Sequence, residues 1–158
     1  MISIEIVKEL LDSTAAGALI KKSFNYKPAG PMPVLSNKNL EHTVEIEKIK
    51  YLIKLIETPK FYILAKDGLK LVGFGIISES NLQYFYDLTW VCVDPDYRNQ
   101  GLGKHLTTKA LEFAKNADRD IIVTTEIPKF YTEVGFHIAN NYRNGWYLMT
   151  SSTFKEEK

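Results

Sequence analysis

The sequence is poor in several features that mark common kinds of site. One cysteine, Cys92, stands in 158 residues, which excludes an intramolecular disulfide and any metal site built from several cysteines. The three histidines, His42, His105 and His137, do not have the spacing of metal ligands. The 20 lysines and arginines nearly balance 19 aspartates and glutamates, so no broad charge attracts nucleic acid. We therefore expect no metal and no nucleic-acid partner.

Long apolar runs are missing as well. No stretch approaches the roughly 18 apolar residues that span a bilayer. The first 22 residues interrupt their apolar pattern with charged side chains, unlike a signal peptide. We therefore expect no membrane partner and, with a single cysteine, a reducing cytoplasmic setting. The length suits one domain with one core, so we expect residues 1–158 to form a single domain.

Apolar periodicity predicts an ordered series of strands and helices. Strands are predicted over residues 2–9, 60–68, 70–80, 84–94, 120–126 and 145–152, and helices over residues 13–24, 40–57, 103–115 and 128–134. The Asp67-Gly68 turn predicts an antiparallel hairpin in the front half of the sheet. The strand–helix–strand unit from Tyr84 to Glu126 predicts a parallel pair with a right-handed crossover. The expected fold is therefore α/β with a mixed sheet.

A glycine-containing turn separates the strand that ends before Pro95 from the helix that follows it. The turn does not fit a P-loop, because Arg98 stands where the first glycine belongs and His105 stands where serine or threonine belongs. It does not fit the dinucleotide-binding fingerprint either, because Leu106 occupies the place of the third glycine. Neither of these two phosphate motifs explains the turn.

Two glycines, Gly101 and Gly103, nevertheless expose the backbone where this helix begins. Amide groups at a helix start lack intrahelical partners, and the helix dipole favours an anion there. The missing side chains let a phosphate approach, while Arg98 and Lys104 add positive charge. The turn therefore predicts a pyrophosphate site that needs no metal, although the same glycines would also serve a tight strand-to-helix turn.

The wider sequence around this turn carries a family resemblance. The stretch V-x-V-D-P-x-Y-R-x-Q-G-L-G-K-x-L, over residues 91–106, resembles the acetyl-CoA-binding motif of the GNAT superfamily of N-acyltransferases. The signature of that motif is Arg/Gln-x-x-Gly-x-Gly/Ala after a strand. Downstream, FYTEVGF over residues 130–136 resembles the family's fYekxGF segment. The predicted strand order also resembles the family along nearly the whole chain, which implies a GNAT-like fold with a central mixed sheet flanked by helices.

The resemblance implies that acetyl-CoA is the co-substrate and assigns its binding to two segments. The pantetheine arm would pair with the strand backbone at Val91, Cys92 and Val93. The pyrophosphate would lie on the turn formed by Arg98, Asn99, Gln100, Gly101, Leu102, Gly103 and Lys104. In such proteins the fourth and fifth strands splay apart and open a V for the cofactor.

The resemblance also implies that a neutral amine attacks the thioester while a proton donor assists the leaving sulfur. Tyr131 matches the family's tyrosine in this role, and an ordinary tyrosine pKa near ~10 keeps it protonated at neutral pH. Asp87 and Glu126 are the carboxylates nearest the predicted cleft, so each is a candidate base, although a water chain serves in many relatives. An asparagine that many members carry before the tyrosine is absent from TTEIPKFY, so that contact is not carried over.

The expected activity is transfer of an acetyl group to a primary amine of a small molecule or peptide. The alternative is a non-catalytic module that senses acyl-CoA, and Tyr131 favours the enzyme because a binding module needs no proton donor. Cys92 lies in an apolar strand without an identifiable histidine partner, so we expect it in the core rather than as a nucleophile. The identity of the acceptor stays open, and so does a homodimer, which is common in the family.

Overall fold

A computed structural model describes residues 1–10, 12–24, 60–142 and 145–152. The strands are β1 (Ile2–Val7), β2 (Lys60–Asp67), β3 (Lys70–Glu79), β4 (Phe85–Val93), β5 (Asp120–Thr125), β6 (His137–Asn141) and β7 (Tyr147–Thr150). The helices are α1 (Ser13–Phe24), α2 (Leu102–Asn116) and α3 (Pro128–Glu133), with a 3-10 turn at Pro95–Tyr97. The helix predicted over residues 40–57 lies outside the described residues.

The strands form one mixed sheet in the order β1-β2-β3-β4-β5-β7-β6. The neighbours β4 and β5 are parallel, and every other neighbouring pair is antiparallel. The predicted mixed sheet, the β2–β3 hairpin and the parallel pair are therefore confirmed. No helix in the described part of the chain is long and apolar enough to cross a membrane.

Strand β6 was not predicted from the sequence, and the structure corrects this omission. Its five residues, HIANN, are all exposed and contain only two apolar side chains. A strand without a buried face leaves no alternation of apolar and polar residues to detect. It pairs with β7 at the edge of the sheet, so its strand conformation depends on that pairing and not on a buried face of its own.

Helices cover both faces of the sheet. On one face, α2 contributes Leu102, Leu106 and Ala110 to the larger apolar core. On the other face, α1 contributes Ala16, Leu19 and Ile20 to a smaller core with Phe74 and Cys92. The larger core continues through α3, whose Tyr131 is buried in it. The sheet therefore separates an α1 side from an α2 side.

A bulge in β4 changes which side chains meet each core. Trp90 has a φ of 55°, and the register with β3 shifts between Phe74 and Ile76. Before the bulge Leu88 lies in the α2-side core, and after it Val91 packs against that same core. The strand therefore bends where it approaches the glycine turn, as is common for bulges beside functional sites.

Candidate active site

A cleft opens between the parallel strands β4 and β5. They are paired only from Phe85 opposite Asp120 to Asp87 opposite Ile122. Beyond these positions β5 pairs with β7 on its other side, and within the described residues no strand pairs with the facing edge of β4. An unpaired strand edge presents free amide and carbonyl groups, which an extended ligand can use as an added strand.

The closed end of the cleft is tied together by contacts at the start of β4 and β5. The amide of Asp120 donates to the carbonyl of Tyr84 at 3.0 Å. The guanidinium of Arg119 forms an ion pair with Glu79 and lies 4.7 Å from the centre of the Tyr86 ring. These contacts hold β3, β4 and β5 together where pairing exists, so the strands diverge from a fixed end.

The end of β4 turns its backbone toward the cleft at Val93. The Asp94 amide donates to Val72 of β3 at 2.8 Å, so the backbone groups of Asp94 face β3. Because these groups alternate between the two strand edges, those of Val93 face the cleft and those of Cys92 face β3. Val91, just after the bulge, packs its side chain on the α2 side.

Cys92 therefore differs from its two neighbours in the predicted pantetheine segment. Its side chain is buried in the α1-side core, and it is the register partner of Phe74. Burial raises the pKa of the Cys92 thiol to about 12, so the thiolate that a nucleophile needs is not formed at neutral pH. Its position matches the core role expected from the apolar sequence around it.

The turn between β4 and α2 exposes its backbone. Asn99 and Gly101 have φ values of 65° and 76°, in the left-handed region. Gly101 is the N-cap of α2 and makes no side-chain cap, so the amides of residues 102–104 have no partner within the helix. A Cβ built on Gly101 would meet no atom within 4 Å, which leaves open space beside those amides. The predicted cofactor residues Gln100 and Lys104 are exposed in or beside this turn.

Gly103 has a different role from Gly101. A Cβ on Gly103 would lie 3.4 Å from the ring of Phe130 in α3 and 3.7 Å from Val93. The side chain of Leu102 is buried in the α2-side core. Gly101 therefore combines a left-handed backbone with open space, whereas a side chain at Gly103 would make ordinary van der Waals contact with Phe130 and Val93.

Asp94 anchors the beginning of the turn, and sequence analysis did not single it out. Its carboxylate is buried, accepts from the amide of Asp96 at 2.9 Å, and lies 3.0 Å from Nζ of Lys22 in α1. Burial alone would raise the pKa of Asp94, but the Asp96 amide and the Lys22 ammonium outweigh burial and lower it. An aspartate directly before Pro95 is a capping pattern, which is the sequence signal that could have identified it.

The two cations of the turn have different surroundings. Arg98 is exposed, and its Nη2 donates to the carbonyl of Ser23 in α1 at 3.0 Å. Lys104 is exposed in the first turn of α2 and has no ion-pair partner among the described residues. Only Lys104 is therefore free, within that part of the chain, to face an anion at the helix start.

Tyr131 lies in α3, the helix that follows the open end of β5. It is 8% exposed, and its ring contacts Phe130 and Phe136 at centroid distances of 4.9 and 5.3 Å. Burial raises the pKa of Tyr131 to about 12, so its hydroxyl stays protonated over the whole physiological range. Because neighbouring Phe130 packs on Gly103, the same short helix links Tyr131 to the glycine turn.

The two candidate bases are far apart along the cleft. Asp87 is half-buried at the last position where β4 pairs with β5, and burial raises its pKa while a hydrogen bond to Ser80 opposes the rise. Glu126 is exposed, just past the end of β5. Since Ile122 is opposite Asp87, four further residues place the backbone of Glu126 about 13 Å along the strand from the level of Asp87. The structure does not bring them together.

Metal ligands form no cluster in the residues that the structure describes, since no group of three or more histidine, cysteine, aspartate or glutamate side chains could hold an ion.

Comparison with solved structures identifies proteins of the same fold. The PaiA N-acetyltransferase of Thermoplasma acidophilum, solved in complex with coenzyme A, is 19% identical, with 96% of this chain and 99% of that chain covered and a TM-score of 0.71. The Escherichia coli N-acetyltransferase YhbS, also solved with coenzyme A, is 17% identical, with 96% and 81% covered and a TM-score of 0.67. The ribosomal-protein-S18-alanine N-acetyltransferase of Escherichia coli is 18% identical, with 100% and 99% covered and a TM-score of 0.68.

The sequence comparison gives the family. No curated protein matches the chain significantly. The model of the acetyltransferase (GNAT) domain matches residues 58–138, which is more than half of the chain and contains the cleft, the glycine turn and Tyr131. The chain therefore belongs to the GNAT family of acetyltransferases.

Proposed function

We propose that this chain is an acetyl-CoA-dependent N-acetyltransferase that acetylates a primary amine of a small molecule or peptide, and that residues 1–158 act as one domain. One observation carries the proposal: the free edge of β4 leads directly into an uncapped helix start with open space at Gly101. An extended arm ending in a pyrophosphate fits this succession of groups. The coenzyme A in two relatives of the same fold supports this choice of ligand.

The described residues fit acetyl-CoA in two places. The amide of Val93 at the cleft edge would donate to a carbonyl of the pantetheine arm, with Val91 beside it, because the Val93 carbonyl already accepts from Ser23. The amides of residues 102–104, together with the left-handed backbone at Asn99 and Gly101, would hold the pyrophosphate. Lys104 adds a charge at the same helix start.

Bound acetyl-CoA supplies a thioester: the amine nitrogen bonds to the acyl carbon, the carbon–sulfur bond breaks, and the amine gives up a proton. We assign Tyr131 as the donor that gives a proton to the sulfur. Its burial supports this role, since a hydroxyl whose pKa is raised to about 12 remains protonated until it is needed.

We assign Asp87 rather than Glu126 as the group that accepts the proton from the amine. Asp87 lies at the closed end of the cleft, and its raised pKa makes it a better proton acceptor than a solvated aspartate. Glu126 is exposed, about 13 Å further along the cleft. Its position fits contact with an incoming ligand better than proton transfer at the closed end.

The proposal is tested by measuring release of the coenzyme A thiol from acetyl-CoA with a panel of amines and peptides. The expected result is release that depends on one class of amine, with the acetylated amine formed in equal amount. Tight binding of acetyl-CoA with no release across the panel would instead favour the sensor. Absence of both binding and release would contradict the assignment of the turn.

A further inference from the structure

The carboxyl end of α1 is bound to the glycine turn by consecutive polar contacts. Nζ of Lys22 lies 3.0 Å from Asp94 Oδ1 and 3.5 Å from Asp96 Oδ2. The hydroxyl of Ser23 donates to the carbonyl of Val93 at 3.1 Å. Arg98 completes the set by donating to the carbonyl of Ser23. Two adjacent residues of α1 are therefore fixed to the last residues of β4 and to the first residue of the turn.

The guanidinium of Arg98 belongs to the α1 side of the sheet. Besides its bond to Ser23, its charge acts on the thiol of Cys92, where it opposes the larger effect of burial on the pKa of that thiol. Cys92 lies in the α1-side core, whereas α2 begins with Leu102 in the core on the opposite side. The hydrogen bond of the Arg98 guanidinium is thus made on the α1 side of the sheet, to the end of α1.

The contact at Ser23 lies at the carboxyl end of α1. α1 is described to Phe24, and the carbonyl of Ser23 has no amide partner within the described residues of the helix. A cation near these carbonyls also interacts favourably with the helix dipole. Arg98 therefore satisfies a group that would otherwise need water or another donor.

We propose that Arg98 is a positioning residue that caps α1 and holds this helix against the glycine turn, instead of neutralising the pyrophosphate. The charge that faces the pyrophosphate comes from Lys104 and the amides of residues 102–104. The inference rests on the proposed function, because it takes coenzyme A as the ligand of the turn. It replaces the sequence-based expectation that both cations serve the phosphate.

Three variants of the full chain distinguish a capping role of Arg98 from direct binding of Arg98 to phosphate. Arg98→Ala removes both the donor and the charge, Arg98→Lys keeps a charged donor, and Lys104→Ala removes the other cation of the turn. The first readout is hydrogen exchange at the amides of residues 20–24 without ligand. The second is the dissociation constant of coenzyme A between low and high salt, because salt screens a charge that faces phosphate.

If Arg98 is a cap, Arg98→Ala accelerates exchange at the end of α1 and weakens coenzyme A binding about three- to tenfold, as expected for the loss of one solvent-exposed hydrogen bond. The salt dependence of coenzyme A binding by Arg98→Ala then stays as in the wild type. Arg98→Lys restores most of the slow exchange in α1 and most of the affinity for coenzyme A. Lys104→Ala lowers the salt dependence and leaves exchange in α1 unchanged.

The proposal is overturned if Arg98→Ala leaves exchange in α1 unchanged and lowers the salt dependence as Lys104→Ala does. It is also overturned if Arg98→Ala changes neither the exchange in α1 nor the binding of coenzyme A. Failure of the proposed function looks different, because the wild type would then not bind coenzyme A while the exchange measurement would still test the cap.

Discussion

At the scale of single residues, burial raises the pKa of each candidate group and so determines whether that group keeps or accepts a proton. Tyr131 is a phenol whose pKa is raised to about 12, and Asp87 is a carboxyl whose pKa is raised, in both cases chiefly by burial. The raised values suit a donor that must keep its proton and an acceptor that must take one. Cys92 is affected in the same direction, but its location in the α1-side core leaves its thiol inert.

Replacing Tyr131 by phenylalanine tests the donor. We expect the change to lower kcat about a hundredfold, which is the lower range for a positioned proton donor, while the dissociation constant of coenzyme A stays the same. Tyr62→Phe is the matched control, since Tyr62 is also a buried tyrosine with a pKa raised by burial, but it lies in β2, two strands from the cleft. Equal kcat values for Tyr131→Phe and Tyr62→Phe would remove Tyr131 from the chemistry.

The pH profile of kcat tests the base. Asp87 can accept a proton only in its ionised form, so activity falls as pH drops through the pKa of Asp87. Because burial raises this pKa, the fall lies at a higher pH than for a solvated aspartate. Asp87→Asn should remove this acid limb and lower kcat about a hundredfold. Glu126→Gln should keep the limb. If Glu126→Gln loses the limb and Asp87→Asn retains it, the roles are reversed.

How far these residues could be predicted depends on the kind of information each one needs. Tyr131 was predicted from a local segment that resembles the family, and the glycine turn was predicted from the chemistry of a bare helix start. The choice between Asp87 and Glu126 was left open, because burial and distance along the cleft depend on how β4 and β5 pair. The partner of Arg98 was hidden for the same reason, since Ser23 is 75 residues away in sequence.

At the scale of elements, the turn between β4 and α2 contains two glycines with different surroundings. Gly101 adopts a left-handed backbone with open space around it, and Gly103 lies against Phe130 inside α2. The sequence left open whether the glycines serve a ligand or a tight turn, and at Gly101 the left-handed backbone of a turn and open space for a ligand occur together. The loop is held at its start by Asp94 and Lys22.

Gly101→Ala, compared with a control glycine, distinguishes loss of space for a ligand from loss of stability through backbone strain. We expect a loss of about 1–2 kcal/mol in the free energy of unfolding, because an L side chain is strained in the left-handed region, together with clearly weaker coenzyme A binding. Gly68→Ala is the control, since Gly68 has a φ of +64°, open surroundings and a place in the β2–β3 turn. It should lose similar stability and bind normally. Equal binding by both variants would contradict a ligand beside Gly101.

The buried carboxylate of Asp94 gives an element-scale prediction with a defined pH range. Its pKa is lowered in the folded state, so its contribution to stability is present above the unfolded pKa and lost as pH falls through the folded pKa. The pKa of Lys22 is raised, so its contribution is present below its unfolded pKa and lost as pH rises through the folded value. The ion pair therefore stabilises the fold across the neutral range.

Asp94→Asn keeps an acceptor for the Asp96 amide but removes the charge. We expect Tm to fall by several degrees at neutral pH, with the difference from the wild type disappearing once the carboxyl is protonated in strong acid. Asp96→Asn is the control, because the carboxylate of Asp96 is largely exposed and lies 3.5 Å from Lys22. A loss of Tm for Asp94→Asn that is unchanged in acid would show that its charge is not the cause.

At the scale of the whole molecule, the cleft is a consequence of strand pairing. β5 has β7 as its antiparallel partner along its second half, while its pairing with β4 stops after three positions. The alternating and buried strands, and the parallel pair, were predictable because each leaves a periodic signal. The cleft and β6 were not, because the divergence of two strands and a fully exposed edge strand leave no local pattern in the sequence.

The most direct test of the account is hydrogen exchange of the whole chain with and without coenzyme A. We expect slower exchange at the end of β4 and through the turn, over residues 91–104, where the arm and the pyrophosphate would lie. Strands β1 and β2, which lie away from the cleft, should be unaffected. Binding of coenzyme A that leaves exchange over residues 91–104 unchanged would contradict the central claim, that the cleft and the turn together form the cofactor site.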